Sequence, residues 1–593
     1  MSGLSVSHAQ QPRLGGPTAV ASDPTPPATL LPDAAVTKVS ATLDRTVDAR
    51  DRGDTAKAKA KEGKAPAAEA AAKEPESAWF TNQHYRNVPR TGNFYMPPKG
   101  CGYGSLLDLI NGESRTGPVP GSAYPSFALM PPSLFDADFR YVDKKGYESD
   151  FLDSLHRIHL GDNWLLATGG QANWRHMHEF NSRLSGKNND YDLFRVRPYA
   201  DLWYKDVFRI YAEMIFAGTA NQDLPPLRID ENSVDFQNLF FDVKIGEVNC
   251  NNVYLRVGRQ EIMLGSQRMI SALDWANTRR TFEGARAFWS SEKFDFDAFW
   301  LKPVLANNSK SNGYSCLGPC PEGAKFDSDP KQNFYGAWAT YRPATTAEGK
   351  VHKGTAIDLY WLFLDNSNKA APLTIPAAIF LKLLKANAPT SVHTLGTRYA
   401  GDKDNFLWDF ESMLQLGQRG DSNIVAGAAT AGVGYNAKHL PMNPTVWAYY
   451  DWASGDHSPN AGNYNTFNQL FPFGHYYYGM IDLIGRQNIR DWNFHLYLNP
   501  VKWVTINAQY HFLALDSSRD ALYGPSGAPT RVRLNGSAGG VVGQEYTILA
   551  NFHVTPRSDF LVGYAKMNSG NFVSNTGNSR SPELFYLMYN VRW

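Results

Sequence analysis

No stretch of this 593-residue chain holds the ~18 consecutive apolar residues that a membrane-spanning helix requires, which argues against helical spans. Charge of one sign is also missing. Lys and Arg total 58 against 57 Asp and Glu, so the net charge of +1 gives no support to nucleic-acid binding. A balanced total still leaves room for a local basic lining. Cysteine is scarce, with four in all. Cys316 and Cys320 lie in NGYSCLGPCPEG and could close a small disulfide ring, which would fit an oxidising compartment. The rival is a zinc half-site, but no nearby His or second cysteine pair supports it. Cys101 and Cys250 are too distant in sequence to pair from spacing. There is no phosphate-cradling loop, dinucleotide fingerprint or metal motif, so no cofactor, metal or catalytic residue is expected. Residues 1–11, MSGLSVSHAQQ, lack a basic region and an adequate apolar core, although SHAQQ resembles the tail of a cleavage site. The expectation is that the natural start lies upstream.

Aromatics are abundant: 30 Tyr, 33 Phe and 15 Trp, or 13% of the chain. High aromatic content without long apolar runs suits a β-rich protein. It also suits an outer-membrane barrel, where only alternate positions face lipid and aromatic girdles mark the two interfaces.

The chain divides into three parts. Residues 1–78 combine a signal remnant with an Ala-, Pro- and Lys-rich linker. Its AKAKAKEGKAPAAEAAAKEPE run has too few large apolar residues to offset the entropy of ordering, so it reads as a disordered periplasmic spacer. Residues 79–133 are Gly- and Pro-rich, consistent with a plug, a periplasmic cap or an irregular lead-in. From 134 to 593, period-two alternation dominates. Phe194, Val196, Ala200 and Leu202 share a face opposite Arg195, Arg197, Tyr199 and Asp201. Phe208, Ile210, Met214 and Phe216 oppose Arg209, Tyr211 and Glu213. Leu239, Phe241 and Val243 oppose Asn238 and Asp242, and Phe406, Trp408 and Phe410 oppose Asp409 and Glu411. A soluble antiparallel sheet also alternates. Aromatics near strand ends, short turns alternating with long polar loops, and a final strand ELFYLMYNVRW favour a barrel instead. That strand, ending at Trp593, looks like the signal read by outer-membrane barrel assembly machinery. At about 9–11 residues per strand plus loops, the span allows roughly 16–20 strands. A barrel that wide leaves an aqueous channel unless loops fill it.

The richest stretch is 253–289, VYLRVGRQEIMLGSQRMISALDWANTRRTFEGARAFW, with six arginines. Val253, Leu255 and Val257 form an apolar face and Tyr254, Arg256 and Gly258 the other. Arginine on the second face of such a strand predicts that this face meets water, as in a pore wall.

These motifs resemble the alginate export family of outer-membrane porins, from roughly Trp164 to Trp593. The resemblance rests on YDLFRVRPYADLWYKDVFRIYAEMIFA, DFQNLFFDV, Gly258-Arg259-Gln260, Gly265-Ser266-Gln267-Arg268, Asp274-Trp275 and Arg280-Thr281-Phe282-Glu283-Gly284. It extends to Ser454-Gly455-Asp456, NTFNQLFPFGHYYYGMIDLIGRQN, Asp520-Ala521-Leu522-Tyr523 and Gly543-Gln544-Glu545. Glu283 stands where the family usually has Asp. The strand GGQANWRHMHEF departs from the family's Arg-x-Arg-Tyr-Glu pattern, and residues 1–130 have no counterpart.

The resemblance implies a large antiparallel transmembrane β-barrel of about 18 strands in the bacterial outer membrane. Its electropositive constriction would attract polyuronate carboxylates. The implied task is passive passage of an anionic polysaccharide or smaller anionic solutes, with lipid outside and no enzymatic step. Arginine is always charged and grips carboxylates with a planar fork, so a ring of arginines would concentrate anions. The substrate-path candidates are Arg195, Arg197, Arg209, Glu213, Arg256, Arg259, Arg268, Asp274, Arg280 and Arg286. The carboxylates among them would fix arginine rotamers and keep binding weak enough for release. For each arginine a salt bridge within the wall is the competing role. The competing functions are a general porin, a closed structural barrel with a wall-anchoring N-terminus, and a membrane-embedded polysaccharide-modifying enzyme using Asp409 and Glu411. The clustered His156, His159, His176 and His178 fit solvated lumen or loop positions better than a metal site.

Overall fold

In the computed structural model, described for residues 103–113, 131–144, 147, 149–305, 328–344, 354–368, 388–459 and 462–593, one antiparallel sheet closes on itself. Eighteen strands form its wall. In chain order they begin with β1 (Trp164–Phe180), β2 (Asn189–Tyr204), β3 (Phe208–Ala220), β4 (Asn232–Val248), β5 (Asn251–Gln260) and β6 (Phe282–Ser290). Next come β7 (Phe294–Pro303), β8 (Gln332–Tyr341), β9 (Ala356–Asn366), β10 (Thr390–Lys403), β11 (Phe406–Arg419) and β12 (Ser422–Asn436). The wall ends with β13 (Thr445–Ala453), β14 (Ile489–Val501), β15 (Val504–Ala514), β16 (Val541–Thr555), β17 (Ser558–Ser569) and β18 (Glu583–Arg592). Each pairs with its neighbour in sequence. Closure comes from β1 against β18, in register from Gln171–Arg592 to Phe180–Glu583. Trp593 continues the seam by exchanging two backbone hydrogen bonds with Gly170, at 2.9 and 3.0 Å. Closure leaves no unpaired edge, which lipid would not tolerate.

Alternation sets the two faces. Phe194, Val196, Ile210, Leu239, Phe241, Leu359, Phe410, Val433 and Ile548 all project outward and are exposed, whereas Arg195, Arg197, Tyr199, Arg209, Tyr211, Asp409 and Glu411 point inward and are buried. An exposed apolar exterior is costly in water and favourable against acyl chains. Just before β1, the short strand Ile158–Leu160 joins the same sheet by pairing antiparallel with Leu166–Trp164. His176 and His178 are outward-facing, against cross-strand Asp192 and Asp190, rather than in the lumen.

The two ends differ. At the end holding the closure termini, most turns are tight. Asn249 and Cys250 (φ 49° and 58°) and Asp404 and Asn405 (φ 50° and 73°) form two-residue hairpin turns that need left-handed backbone at both positions. Loops at the opposite end are long, including 261–281, 454–488 and 515–540. In outer-membrane barrels, short turns face the periplasm and long loops face outward. Cys316 and Cys320, and the linker within 1–78, lie outside the described residues.

Candidate pore site

Two of the long loops fold back into the lumen. Loop 261–281 carries Ile262, Leu264, Met269, Ile270 and Ala272, and loop 454–488 carries Phe467, Phe473, Tyr476, Tyr477, Tyr478, Met480 and Ile484; all are buried. Such apolar density cannot sit in solvent, so the loops pack on each other and on the inner wall. They meet at a parallel bridge between Ile270 and Phe471. Ser271 N–H donates to Phe471 O (2.9 Å), Phe471 N–H to Met269 O (3.0 Å) and Phe473 N–H to Gln267 O (3.0 Å). Phe471 then packs edge-on against Phe282 and Phe334.

Loop 261–281 is fastened to opposite walls. On the β2–β4 side, Arg195 Nη2 donates to Asp274 at 3.0 Å. Arg197 Nε donates to Glu213 at 2.5 Å and Nη2 to Glu261 at 3.2 Å. Arg279 grips Glu261 with Nε and Nη2 at 2.7 and 2.8 Å and also pairs with Asp274. Burial opposes ionisation of Glu261 and Asp274. The guanidiniums of Arg279, Arg197 and Arg195 overcome it and hold both carboxyls below the ordinary range. On the β9–β11 side, Arg268 donates to Asp409 at 2.8 Å and Glu411 at 3.0 Å, and lies over Tyr477 at 4.4 Å. Ser266 and Tyr360 complete the Glu411 acceptor set at 2.6 and 2.9 Å, and Arg398 donates to Asp409 at 2.7 Å. Asp409 and Glu411 therefore clamp a loop. The loop is a beam across the lumen, bolted at both ends by ion pairs.

Loop 454–488 is fastened similarly. Arg486 donates to Asp451 (3.0 Å) and Thr430 (3.1 Å). Ser454-Gly455-Asp456 is the turn that launches the loop, with Ser454 Oγ donating to Asn465 O and Asp456 N–H donating to Asp520. Glu545 accepts from the Ile481 amide at 3.2 Å. A Cβ on Gly479, whose φ is +99°, would sit 2.3 Å from the Glu545 carboxylate, so a side chain there would displace this anchor. Ser454-Gly455-Asp456, Asp520 and Glu545, family-like landmarks outside the arginine block, thus anchor the loop.

The remaining candidates fall into three settings. Arg256 makes a bidentate pair with Asp242 (2.7 and 2.9 Å) and lies over Phe240 at 3.8 Å. Arg209 pairs with Asp201 at 2.7 Å, and Arg286 with Asp297 at 2.8 Å. All three face inward yet are buried, so the expectation that Arg209 and Arg256 stand in solvent is corrected. Phe135, from the segment preceding the barrel, lies against both. Arg259 takes the other face. It sits cross-strand from outward Leu239 and from Glu283, and bonds Glu283 and Asp235 at 2.8 and 2.9 Å. Its grouping with the lumen residues is therefore also corrected.

Arg280 differs from all of these. Its Nη1 donates to two backbone carbonyls, Pro472 O (3.1 Å) and Ser271 O (3.3 Å), where the two loops cross, and no carboxylate among the described residues pairs with it. Burial alone pulls its guanidinium down to about 10, leaving it charged at neutral pH. Arg175 on β1, which was not singled out from the sequence, also bonds a loop carbonyl, with Asp230 and Asp274 near enough to act on its charge. Its Nη2 donates to Trp275 O at 2.8 Å, and its guanidinium lies 3.9 Å above the Trp275 ring. The other face of Trp275 stacks on His475 at 3.7 Å. Alternation with Gln171 and Asn173 would have placed Arg175 inward.

Solved proteins of Pseudomonas aeruginosa align with this chain at low identity. OccD3 (OpdP) aligns at 10% identity over 72% of this chain and 91% of its own, with a TM-score of 0.43. OccK8 (OprE) aligns at 13% over 72% and 98%, with a TM-score of 0.43, and OpdK with vanillate at 11% over 72% and 98%, with a TM-score of 0.45. No curated protein matches the sequence. The family model described as alginate export matches residues 165–587, which is nearly the whole wall and every in-folded loop described above. The chain belongs to the alginate export family and is a porin-like β-barrel of the bacterial outer membrane.

Proposed function

We propose that this channel passes an acidic polysaccharide, an alginate-like polyuronate, or smaller anionic solutes, passively and with preference for anions. Arg280 is the observation that carries this reading. Most lumen arginines are neutralised by carboxylates at salt-bridge distance, so their number does not give the lumen a positive field. Arg280 keeps uncompensated charge where the loops cross, and a cation in a narrow low-dielectric passage acts on every passing ion. Backbone-carbonyl partners fix the guanidinium without cancelling it. Its remaining donors suit the planar carboxylates of uronate units. Insertion of the barrel is assigned to the outer-membrane assembly machinery acting on β18 and Trp593.

The test is reversal-potential measurement in planar bilayers under a salt gradient, with uronate oligomers as blockers. The expected result is anion preference and oligomer block. Arg280→Gln should cut the anion-to-cation permeability ratio about fivefold, the factor for ~1 kcal/mol of pore electrostatics. Conductance without preference or block would make the protein a general porin and sink the proposal.

A further inference from the structure

The segment 131–157 precedes both the barrel wall and the family match, which starts at 165. Its described residues, 131–144, 147 and 149–157, pack on the inner wall at the end with the tight turns, the periplasmic end. Leu134, Phe135, Ala137 and Phe139 are buried there with inward-facing Tyr199, Tyr211 and Phe240. Phe135 meets Tyr211 and Phe240 edge-on, with ring centroids 5.6 and 5.2 Å apart. The Arg256 guanidinium lies 4.7 Å from its ring, and Arg209 Nη2 donates to Phe135 O at 2.8 Å. Ser133 reaches Glu261, the foot of the in-folded beam.

The second fastening is ionic. Arg557, in the two-residue turn between β16 and β17, donates to Asp150 at 2.9 Å and Asp153 at 2.6 Å. Tyr147 donates to Asp153 at 2.9 Å, and the Phe139 ring stacks on His156 at 3.7 Å. The strap thus runs from the β3–β5 wall to the β16–β17 turn, with an aromatic anchor at one end and a charged latch at the other.

We propose that residues 131–157 are a removable plug: a strap that closes the periplasmic half of the lumen at rest and must withdraw for the channel to conduct. The fastenings suit such a device. None is covalent, and β1 to β18 close the barrel without the strap. Arg209 and Arg256 keep Asp201 and Asp242 as partners when Phe135 leaves, so withdrawal strands no buried charge. The inference rests on the barrel being a channel and is independent of which ion it prefers.

The experiment uses the full chain with its four native cysteines changed to serine and Phe135→Cys and Phe240→Cys introduced. Single-channel current is read before and after oxidation, with the crosslink verified by mass spectrometry. The expected result is at least a tenfold loss of current on oxidation, recovered by reductant. In a separate chain, Arg557→Gln breaks the latch and should raise open probability severalfold, with barrel integrity checked by heat-modifiable gel mobility. Equal current in the oxidised and reduced states, including none in either, overturns the plug. A strap-gated current without anion preference leaves the plug standing and removes the proposed selectivity. An always-open anion-selective pore does the reverse.

Discussion

Replacing Arg268 with methionine tests whether loop 261–281 is held as a beam. Arg268 is 1% exposed and its acceptors Asp409 and Glu411 are 0% and 3% exposed, so no part of the cluster is relieved by water. The substitution leaves two buried carboxylates short of a cation. Arg398 still serves Asp409, and Ser266 and Tyr360 still serve Glu411. Removing one partner of such a buried pair costs roughly 3–5 kcal/mol, because the penalty is the stranded charge rather than the lost contact. The closure of β9 through β11 does not depend on Arg268, so the cost falls on docking of the loop. At about 1.4 kcal/mol per decade, docking weakens by a factor of roughly a hundred to a few thousand.

Amide hydrogen exchange reads this directly. The reporters are the amides of Ser271, Phe471 and Phe473, which donate across the bridge between the loops. Their exchange should accelerate by about two to three and a half decades while amides in the β11–β12 ladder hold their protection. Arg268→Lys keeps the charge but loses the fork that reaches two carboxylates, so it should fall between wild type and methionine. Unchanged protection at all three reporters would refute the beam, since the ion pairs would then carry none of the docking.

Two further outcomes follow from particular backbone and side-chain positions. Gly284 (φ +152°) lies cross-strand from Gly258, and a Cβ on it would come within 2.2 Å of Trp300 O, so Gly284→Ala should lower barrel stability in urea by about 1–3 kcal/mol. Gly218→Ala, with nothing within 4 Å of the added carbon, should be neutral, and equal effects at the two sites would refute the strain argument. Asp482 on loop 454–488 is pushed up to about 6 by burial, with Arg183 and Arg175 pulling it down and Glu179 pushing it up, and with His475 at 3.9 Å. Its folded-state value is above the unfolded one, so its contribution to docking is complete below about pH 4 and is lost as pH rises through about 6. Trp275 fluorescence should report looser docking above pH 6, and Asp482→Asn should flatten the profile; a profile that persists in the asparagine variant would assign it to another group.

The wall was legible from the sequence because its two faces meet media of opposite polarity. Any strand crossing lipid must alternate, and Phe194 through Trp203 do so with hardly a break. The same rule, applied strictly, reaches Arg259: counting on from inward Arg256 places it outward, and only its family-like neighbourhood argued for the lumen. Pairing was not legible. Glu261 meets Arg197 across 64 residues and Asp274 meets Arg195 across 79, and no periodicity encodes an encounter between a wall strand and a loop that folds back. The cover over Arg209 and Arg256 was hidden for the same reason, since it comes from a segment that never enters the sheet.

These pairings change what an arginine-rich lumen signifies. A guanidinium held by a carboxylate fixes geometry, and its charge is cancelled within ~3 Å, well inside the ~8 Å over which salt screens it in solution. A guanidinium held by carbonyls is oriented equally well and keeps its field. By that criterion Arg195, Arg197, Arg268 and Arg279 build the beam, while Arg280 charges it. The two roles separate experimentally. Losing a builder should alter loop exchange and channel noise, whereas losing Arg280 should alter permeability ratio while the Ser271, Phe471 and Phe473 amides keep their protection. If Arg280→Gln instead frees those amides, Arg280 is a builder too, and the charge that governs passage must be sought elsewhere in the lumen.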